Sequence, residues 1–257
     1  MEIKDWYKEV KNTNKKDKSF KNHEIEPNSI IGLIGQSGSG KSTALIDFIS
    51  RCPEKFTEIH LFSGSGSAST EPLYKLLKQK IPELETYDNV EDIPPLESFE
   101  DKTSEKLIIF DDFLQLTPKQ MKKLAQYATA GRKSGFTCIF MSQNYTSIPK
   151  VISRNFHYLW LFKIQDTVSV DTIYKNHING ITREQFRDLH RAITSQPRSF
   201  LMVDLRKNEL RKNFLQKINT QSALQSGTKE SIPSKKPLLR RGRPNLPNLP
   251  GLTGLQG

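Results

Sequence analysis

Short apolar runs alternate with stretches of helical periodicity along most of this chain. Residues 29–34, 58–62, 107–110, 136–141, 157–162 and 199–203 are apolar runs of strand length. Residues 41–51, 71–81, 118–129, 170–177 and 183–194 read as helices between and after them. Pro118 follows Thr117 and occupies the first turn of one helix, and Thr182 caps the last. Strands that alternate with helices predict an α/β fold in which helices cover a mainly parallel sheet.

Three segments depart from this rhythm. Residues 83–105 are strongly acidic with Pro94 and Pro95 in the middle, and are expected to form a surface insertion. Residues 1–22 are rich in Lys and Asn, with only Trp6, Tyr7 and Val10 as an apolar trace, and predict a mobile arm with a short helix. Beyond Asn208 the pattern fades: 208–218 is assigned as helical, and 219–257 has the Ser, Pro, Gly, Arg and Lys content of a disordered tail. Its end, 244–257, repeats an Asn-Leu-Pro spacing that suits either a docking peptide or a linker. The expected organisation is an N-terminal arm over 1–22, one folded domain over 23–207 and a C-terminal tail over 208–257.

Composition sharpens this division. The chain has 257 residues, 35% of them hydrophobic, enough for one sizeable core. It has no run of 18 apolar residues and no leader of secretory type at Met1, so a soluble, intracellular protein without a membrane span is expected. Cys52 and Cys138 have no ligand-spaced partners and are expected to be buried thiols. The formal charge of +11 is uneven. Residues 1–22 hold seven Lys against four acids, 206–257 hold eleven Lys or Arg against two Glu, and 23–205 hold 21 basic against 22 acidic residues. Basic arms on a neutral centre suit flexible contact with a polyanion; a plain role in solubility fits the same numbers.

The candidate chemistry sits where strands end. Gly35-Gln36-Ser37-Gly38-Ser39-Gly40-Lys41-Ser42, followed by Thr43, fits the phosphate-loop pattern between a strand and a helix. Backbone N–H groups and the positive helix end there converge on phosphate oxygens, and the glycines let the backbone approach. Lys41 is expected to bridge the β and γ phosphates of ATP, and the Ser42 hydroxyl to ligate Mg²⁺. The run 107–110 ends in Asp111 and Asp112: Asp111 is placed to hold the metal through water, Asp112 to take a proton from attacking water. Gln143, after the strand at 136–141, is expected beside the γ phosphate.

Read together, these segments resemble the poxvirus-type genome-packaging ATPases of the FtsK and HerA superfamily, also found in giant viruses, virophages and Polinton-like elements. The resemblance spans about 28–205 and rests on four ordered pieces: Gly32 to Thr43, Leu107 to Phe113, Ala130-Gly131-Arg132-Lys133, and Ser142-Gln143-Asn144-Tyr145-Thr146-Ser147-Ile148-Pro149-Lys150 continuing to Arg154-Asn155. Lys133 stands where the family often has His, and Ser153 delays Arg154 relative to the usual spacing. The resemblance implies a RecA-like P-loop core that assembles into a homo-oligomeric ring, with nucleotide sites at subunit boundaries. Either Arg132 or Arg154 would act on the neighbouring site. It further implies a motor that moves double-stranded DNA into a capsid of viral proteins inside an infected cell, in the cytoplasm or a viral factory, with association to the virion possible.

Two rivals share the phosphate loop. A nucleoside or nucleotide kinase would need an arginine-rich lid, which Arg183, Arg187 and Arg191 imitate by spacing, although a solvated helix face is the commoner cause of such a stripe. A nucleotide-gated DNA-binding adaptor would bind ATP without appreciable turnover; the paired Asp111 and Asp112 argue against it.

Overall fold

Strands apolar on both sides need helices above and below them, and parallel pairing needs crossovers long enough to be helices. The computed structural model describes residues 19–52, 55–66, 68, 70–81 and 84–219. Its elements are β1 (Ile30–Ile34), α1 (Lys41–Ser50), β2 (Glu58–Ser63), α2 (Pro72–Lys80), β3 (Glu85–Tyr87), β4 (Lys106–Asp111), α3 (Pro118–Ala130), β5 (Phe136–Ser142), α4 (Lys150–Ser153), β6 (Tyr158–Leu161), α5 (Thr167–His177), α6 (Arg183–Thr194), β7 (Leu201–Asp204), β8 (Glu209–Lys212) and β9 (Gln216–Lys217). They build one sheet in the order β3-β2-β4-β5-β1-β6-β7-β8-β9. Every pairing from β3 to β6 is parallel, and those beyond β6 are antiparallel. The α/β class and the mainly parallel sheet expected from the sequence are therefore present.

Alternation along each strand feeds two cores. Ile30 and Ile34 of β1 pack with Ile108, Phe110, Phe140 and Leu159 on the face covered by α3, α5 and α6. Ile31 and Leu33 pack with Leu107, Ile109, Ile139 and Trp160 on the face covered by α1 and α2. Helix ends follow local chemistry: Thr117 with Gln120, and Thr182 with Gln185, form reciprocal capping boxes on α3 and α6. Gly135 turns the chain into β5 at φ +82°, where an added Cβ would lie 2.2 Å from the Ser104 carbonyl oxygen.

Two expectations are corrected. The acidic segment is not a mere surface insertion: it supplies edge strand β3, and Val90, Ile93, Leu96 and Phe99 are buried in the first core. Three-residue spacing on 3-10 turns turns these apolar residues inward while the acids face water. Residues 208–218 are not helical but form the β8–β9 hairpin, entered through Asn208 at φ +53° and turned at Asn213 at φ +54°. Leu210, Phe214 and Ile218 stand four apart and imitate a helix face, yet Leu210 and Ile218 join one core and Phe214 the other. The folded region thus passes position 207. It also takes in Ser19, buried ahead of a 3-10 turn at Phe20–Asn22. The remainder of the expected arm and the tail from 220 onward, including the 244–257 repeat, lie outside the described residues.

Cys52 and Cys138 are buried thiols, as expected. Among the described residues no helix is long and apolar enough to cross a membrane.

The antiparallel extension is pinned by a buried charge. Arg211 is fully enclosed and donates to Asp204, also fully enclosed, at 2.6 Å, and to the Phe214 carbonyl at 3.3 Å. Glu24 and Glu209 each approach it to 3.3 Å. Removing Asp204 takes away the one of these carboxylates that is as enclosed as Arg211 and leaves the buried charge to the more exposed Glu24 and Glu209. Asp204→Ala is expected to cost about 3–5 kcal/mol of folding stability, read from the shift in a urea unfolding midpoint.

Buried histidines add a pH dependence. Burial holds His190, whose Nε2 bonds the Phe162 carbonyl at 2.8 Å, and His60 below the ordinary value of 6.5. The unfolded chain therefore binds more protons than the folded one just below pH 6.5, and stability must fall as pH drops through that value. Unfolding midpoints measured from pH 7.5 to pH 5 are expected to decline below about 6.5.

Candidate active site

The phosphate loop leaves the carboxyl end of β1 between β5 and β6. Its first amide, Gly35, donates to the Ser142 carbonyl at 3.1 Å, and Gln36 donates to the Lys163 carbonyl at 3.0 Å, so the loop is tied to both neighbouring strands. A Cβ on Gly35 would lie 2.5 Å from the Phe162 Cβ. Gly40 caps α1 at φ +104°, a left-handed conformation that favours glycine. The loop backbone is thereby turned toward the start of α1, whose first amides have no intrahelical acceptor.

A cleft of about 520 Å³ opens beside this loop. Ser37, Gly38, Gly40, Lys41, Ser42 and Thr43 line one wall, and Asp111, Asp112 and Gln143 line the other. Gly35, Gln36 and Ser39 belong to the loop but are not part of the cleft wall. Lys41 reaches back, its Nζ donating to the carbonyls of Gly35 at 2.6 Å and Gln36 at 3.1 Å. Burial lowers the Lys41 amine and raises the Asp111 carboxyl, and each opposes the shift of the other through its charge. Desolvation in the cleft thus disfavours both charges.

Asp111 ends β4 and is half-buried; Asp112 stands exposed one residue on, with φ +49°. That left-handed bend lets the two neighbouring carboxylates take different surroundings. Gly64 accommodates it, since its amide donates to the Asp111 carbonyl at 2.9 Å and a Cβ there would lie 2.1 Å from the Asp112 carbonyl oxygen.

Sequence reasoning missed Tyr74. From α2 its hydroxyl donates to Asp111 Oδ2 at 2.6 Å, with the Ser42 side chain beside it. Burial and the Asp111 charge push the phenol up, so it remains a donor. No spacing in the sequence relates Tyr74 to Asp111, because their contact depends on how α2 packs over β2 and β4. Ser42, Tyr74 and Asp111 assemble hard oxygen atoms of the kind Mg²⁺ prefers. Among the described residues no group of three His, Cys, Asp or Glu suits a metal by itself. The donor set fits a cation shared with phosphate oxygens, as Mg²⁺ in nucleotide sites is.

Gln143 follows β5 and is exposed to the cleft. The next residues are braced: the Tyr145 amide donates to Ser169 Oγ at 3.1 Å, and its hydroxyl meets His177 Nε2 at 2.6 Å. Arg132 and Arg154 line none of this cleft. Arg132 lies on the 3-10 turn Gly131–Ser134 ahead of β5, and Arg154 follows α4 on the way to β6. Arg187 is paired with Asp171 and Arg191 with Asp188, away from the cleft, so the arginine stripe forms no lid over it.

The model of the Poxvirus A32 protein family matches residues 17–187. The chain belongs to that family. No curated protein sequence matches it significantly. Among solved structures, this A32-family chain is similar to the DNA-packaging ATPase of Sulfolobus turreted icosahedral virus, at 14% identity and a TM-score of 0.52, covering 74% of this chain and 98% of that one. The genome-packaging NTPase of Sulfolobus turreted icosahedral virus 2, in complex with AMPPCP, matches at 16% identity and a TM-score of 0.53, with 74% and 98% covered. The pCW3 conjugation coupling protein, with ATPγS, matches at 13% and 0.52, with 79% and 66% covered. At these identities the structural matches establish a shared P-loop NTPase fold.

Tyr74→Phe removes the side-chain donor that the Asp111 carboxylate has among the described residues. It is expected to lower stability at neutral pH by about 1–3 kcal/mol, measured by urea unfolding without nucleotide.

Proposed function

We propose that this chain is the genome-packaging ATPase of a virus. The observation that carries the reading is the convergence of Lys41, Ser42, Asp111, Asp112 and Gln143 on one cleft in a member of the A32 family. ATP would lie with its β and γ phosphates against the loop amides, and Lys41 would leave its two carbonyls to bridge them. Ser42, and Asp111 through water, would hold Mg²⁺, which neutralises charge on the β and γ oxygens. Tyr74 keeps Asp111 oriented toward Ser42. Exposed Asp112 would draw a proton from a water attacking in line, and Gln143 would orient that water or relay the change to α5 through the Tyr145–His177 contact.

Work on DNA follows from the same reading. The chain would act as a homo-oligomeric ring, with Arg132 or Arg154 meeting the nucleotide of the next subunit, and would drive double-stranded DNA into a capsid in the infected cell. A motor that accepts every sequence must grip phosphates, so its DNA affinity should fall steeply with salt. A role as a kinase finds no support in the paired Arg187 and Arg191.

The test is phosphate release from ATP with and without long duplex DNA. Lys41→Ala is expected to abolish it. Asp112→Asn is expected to lower turnover by roughly 10²- to 10⁴-fold while nucleotide binding persists. Undiminished turnover in Lys41→Ala, or transfer of phosphate to a nucleoside, would overturn the reading.

A further inference from the structure

One arginine packs against the phosphate loop itself. β7 is antiparallel to β6 and Leu201 pairs with Leu161, so the segment between α6 and β7 lies at the carboxyl edge of the parallel strands, beside the loop. In that segment Gln196, Pro197, Arg198 and Ser199 form a tight turn, closed by the Ser199 amide donating to the Gln196 carbonyl at 3.2 Å. Proline second and a residue at positive φ third fit a type II turn, whose third place normally goes to glycine or asparagine. Here Arg198 takes it at φ +60°. The turn is anchored, because Lys212 of β8 donates to Gln196 Oε1 at 2.6 Å. Gly40 faces it: a Cβ on Gly40 would lie 3.3 Å from Arg198 Cα and 3.7 Å from its Cβ and Cγ. Glu24 is the other long side chain at positive φ among the described residues, and its 3.3 Å approach to Arg211 accounts for it. The exposed Arg198 side chain has no hydrogen bond or ion pair among the described residues. A strained arginine that makes no polar contact within the fold points to a ligand.

The geometry of hydrolysis decides which part of the nucleotide lies there. Asp112 leaves β4 and Gln143 leaves β5, on one side of β1, while β6 and β7 lie on the other. In-line attack puts the water and the leaving diphosphate on opposite sides of the γ phosphorus. With the water at Asp112 and Gln143, the rest of the nucleotide extends toward β6 and β7, where Arg198 stands. Its phosphate oxygens are served by the loop amides, Lys41 and the cation. What remains for Arg198 is the nucleoside, and a planar guanidinium matches the flat face of a base. We propose that Arg198 holds the nucleotide bound by its own chain, with its guanidinium stacked on the base. The inference rests on the ATPase reading above and adds a contact to the end of the substrate that the cleft residues leave unheld.

The test uses the full chain and measures affinity for a fluorescent ATP analogue, competition by tripolyphosphate, turnover at saturating ATP, and duplex DNA binding. Arg198→Ala is expected to weaken analogue binding and raise KM for ATP by about 3- to 30-fold, with turnover at saturating ATP falling by a smaller factor. Tripolyphosphate, which has no base, should keep its inhibition constant. Arg198→Gly accepts the left-handed conformation without strain and should unfold, without nucleotide, at a temperature no lower than the parent, yet lose the same affinity. Arg198→Lys, which keeps the charge and loses the plane, should resemble Arg198→Ala. Parent affinity in the Ala and Gly variants, full recovery by lysine, or an equal loss for tripolyphosphate would each overturn the stacking contact and leave the ATPase reading intact. So would turnover at saturating ATP falling by more than affinity, or a loss confined to duplex binding. A parent chain that binds no ATP analogue would sink the ATPase reading first and this inference with it.

Discussion

Parallel pairing is the constraint on which the rest of this structure depends. When β4, β5, β1 and β6 run side by side in one direction, their carboxyl ends must meet at one edge. The phosphate loop leaves β1, the acidic pair leaves β4 and Gln143 leaves β5, so three segments far apart in the chain reach a single cleft. Burial on both faces locks the register. A slip of one residue would send Ile31 and Leu33 into the wrong core and carry Asp111 away from Ser42.

Within that cleft, burial works against the charges assembled there. Lys41 and Asp111 are each pushed toward the neutral form by desolvation, and each is partly restored by the other. Tyr74 adds a donor to Asp111, and two loop carbonyls occupy the Lys41 amine. These interactions satisfy both groups within the cleft. The left-handed bend at Asp112, with Gly64 packed beneath it, points the second carboxylate outward into solvent instead of crowding it against the first.

The antiparallel strands serve the opposite end of the sheet. β7 and β8 turn back beside β6, hold their hairpin with the enclosed Arg211–Asp204 pair, and deliver Arg206 next to His157. A sheet that remained parallel throughout would bring the chain back only through another helical crossover. The change of direction therefore sets Arg206 about one strand length from the cleft.

The sequence by itself determined whatever depends on neighbours within about a turn or a strand. The glycine spacing of 35–40, the strand that runs into Asp111 and Asp112, the capping residues Thr117 and Thr182, and the alternation of strands with helices are local chemistry, and each was legible. Its failures were of one kind. Leu210, Phe214 and Ile218 read as a helix because four-residue spacing does not reveal that the two faces of a sheet will divide them. The acidic 83–105 segment read as surface because its few apolar residues gave no warning that they would close an edge of the core. Tertiary structure alone decided that Tyr74 meets Asp111, that Arg206 joins His157, and that Arg132 lies beyond reach of its own cleft. Such contacts depend on strand order and helix packing, which place residues side by side without regard to their separation along the chain.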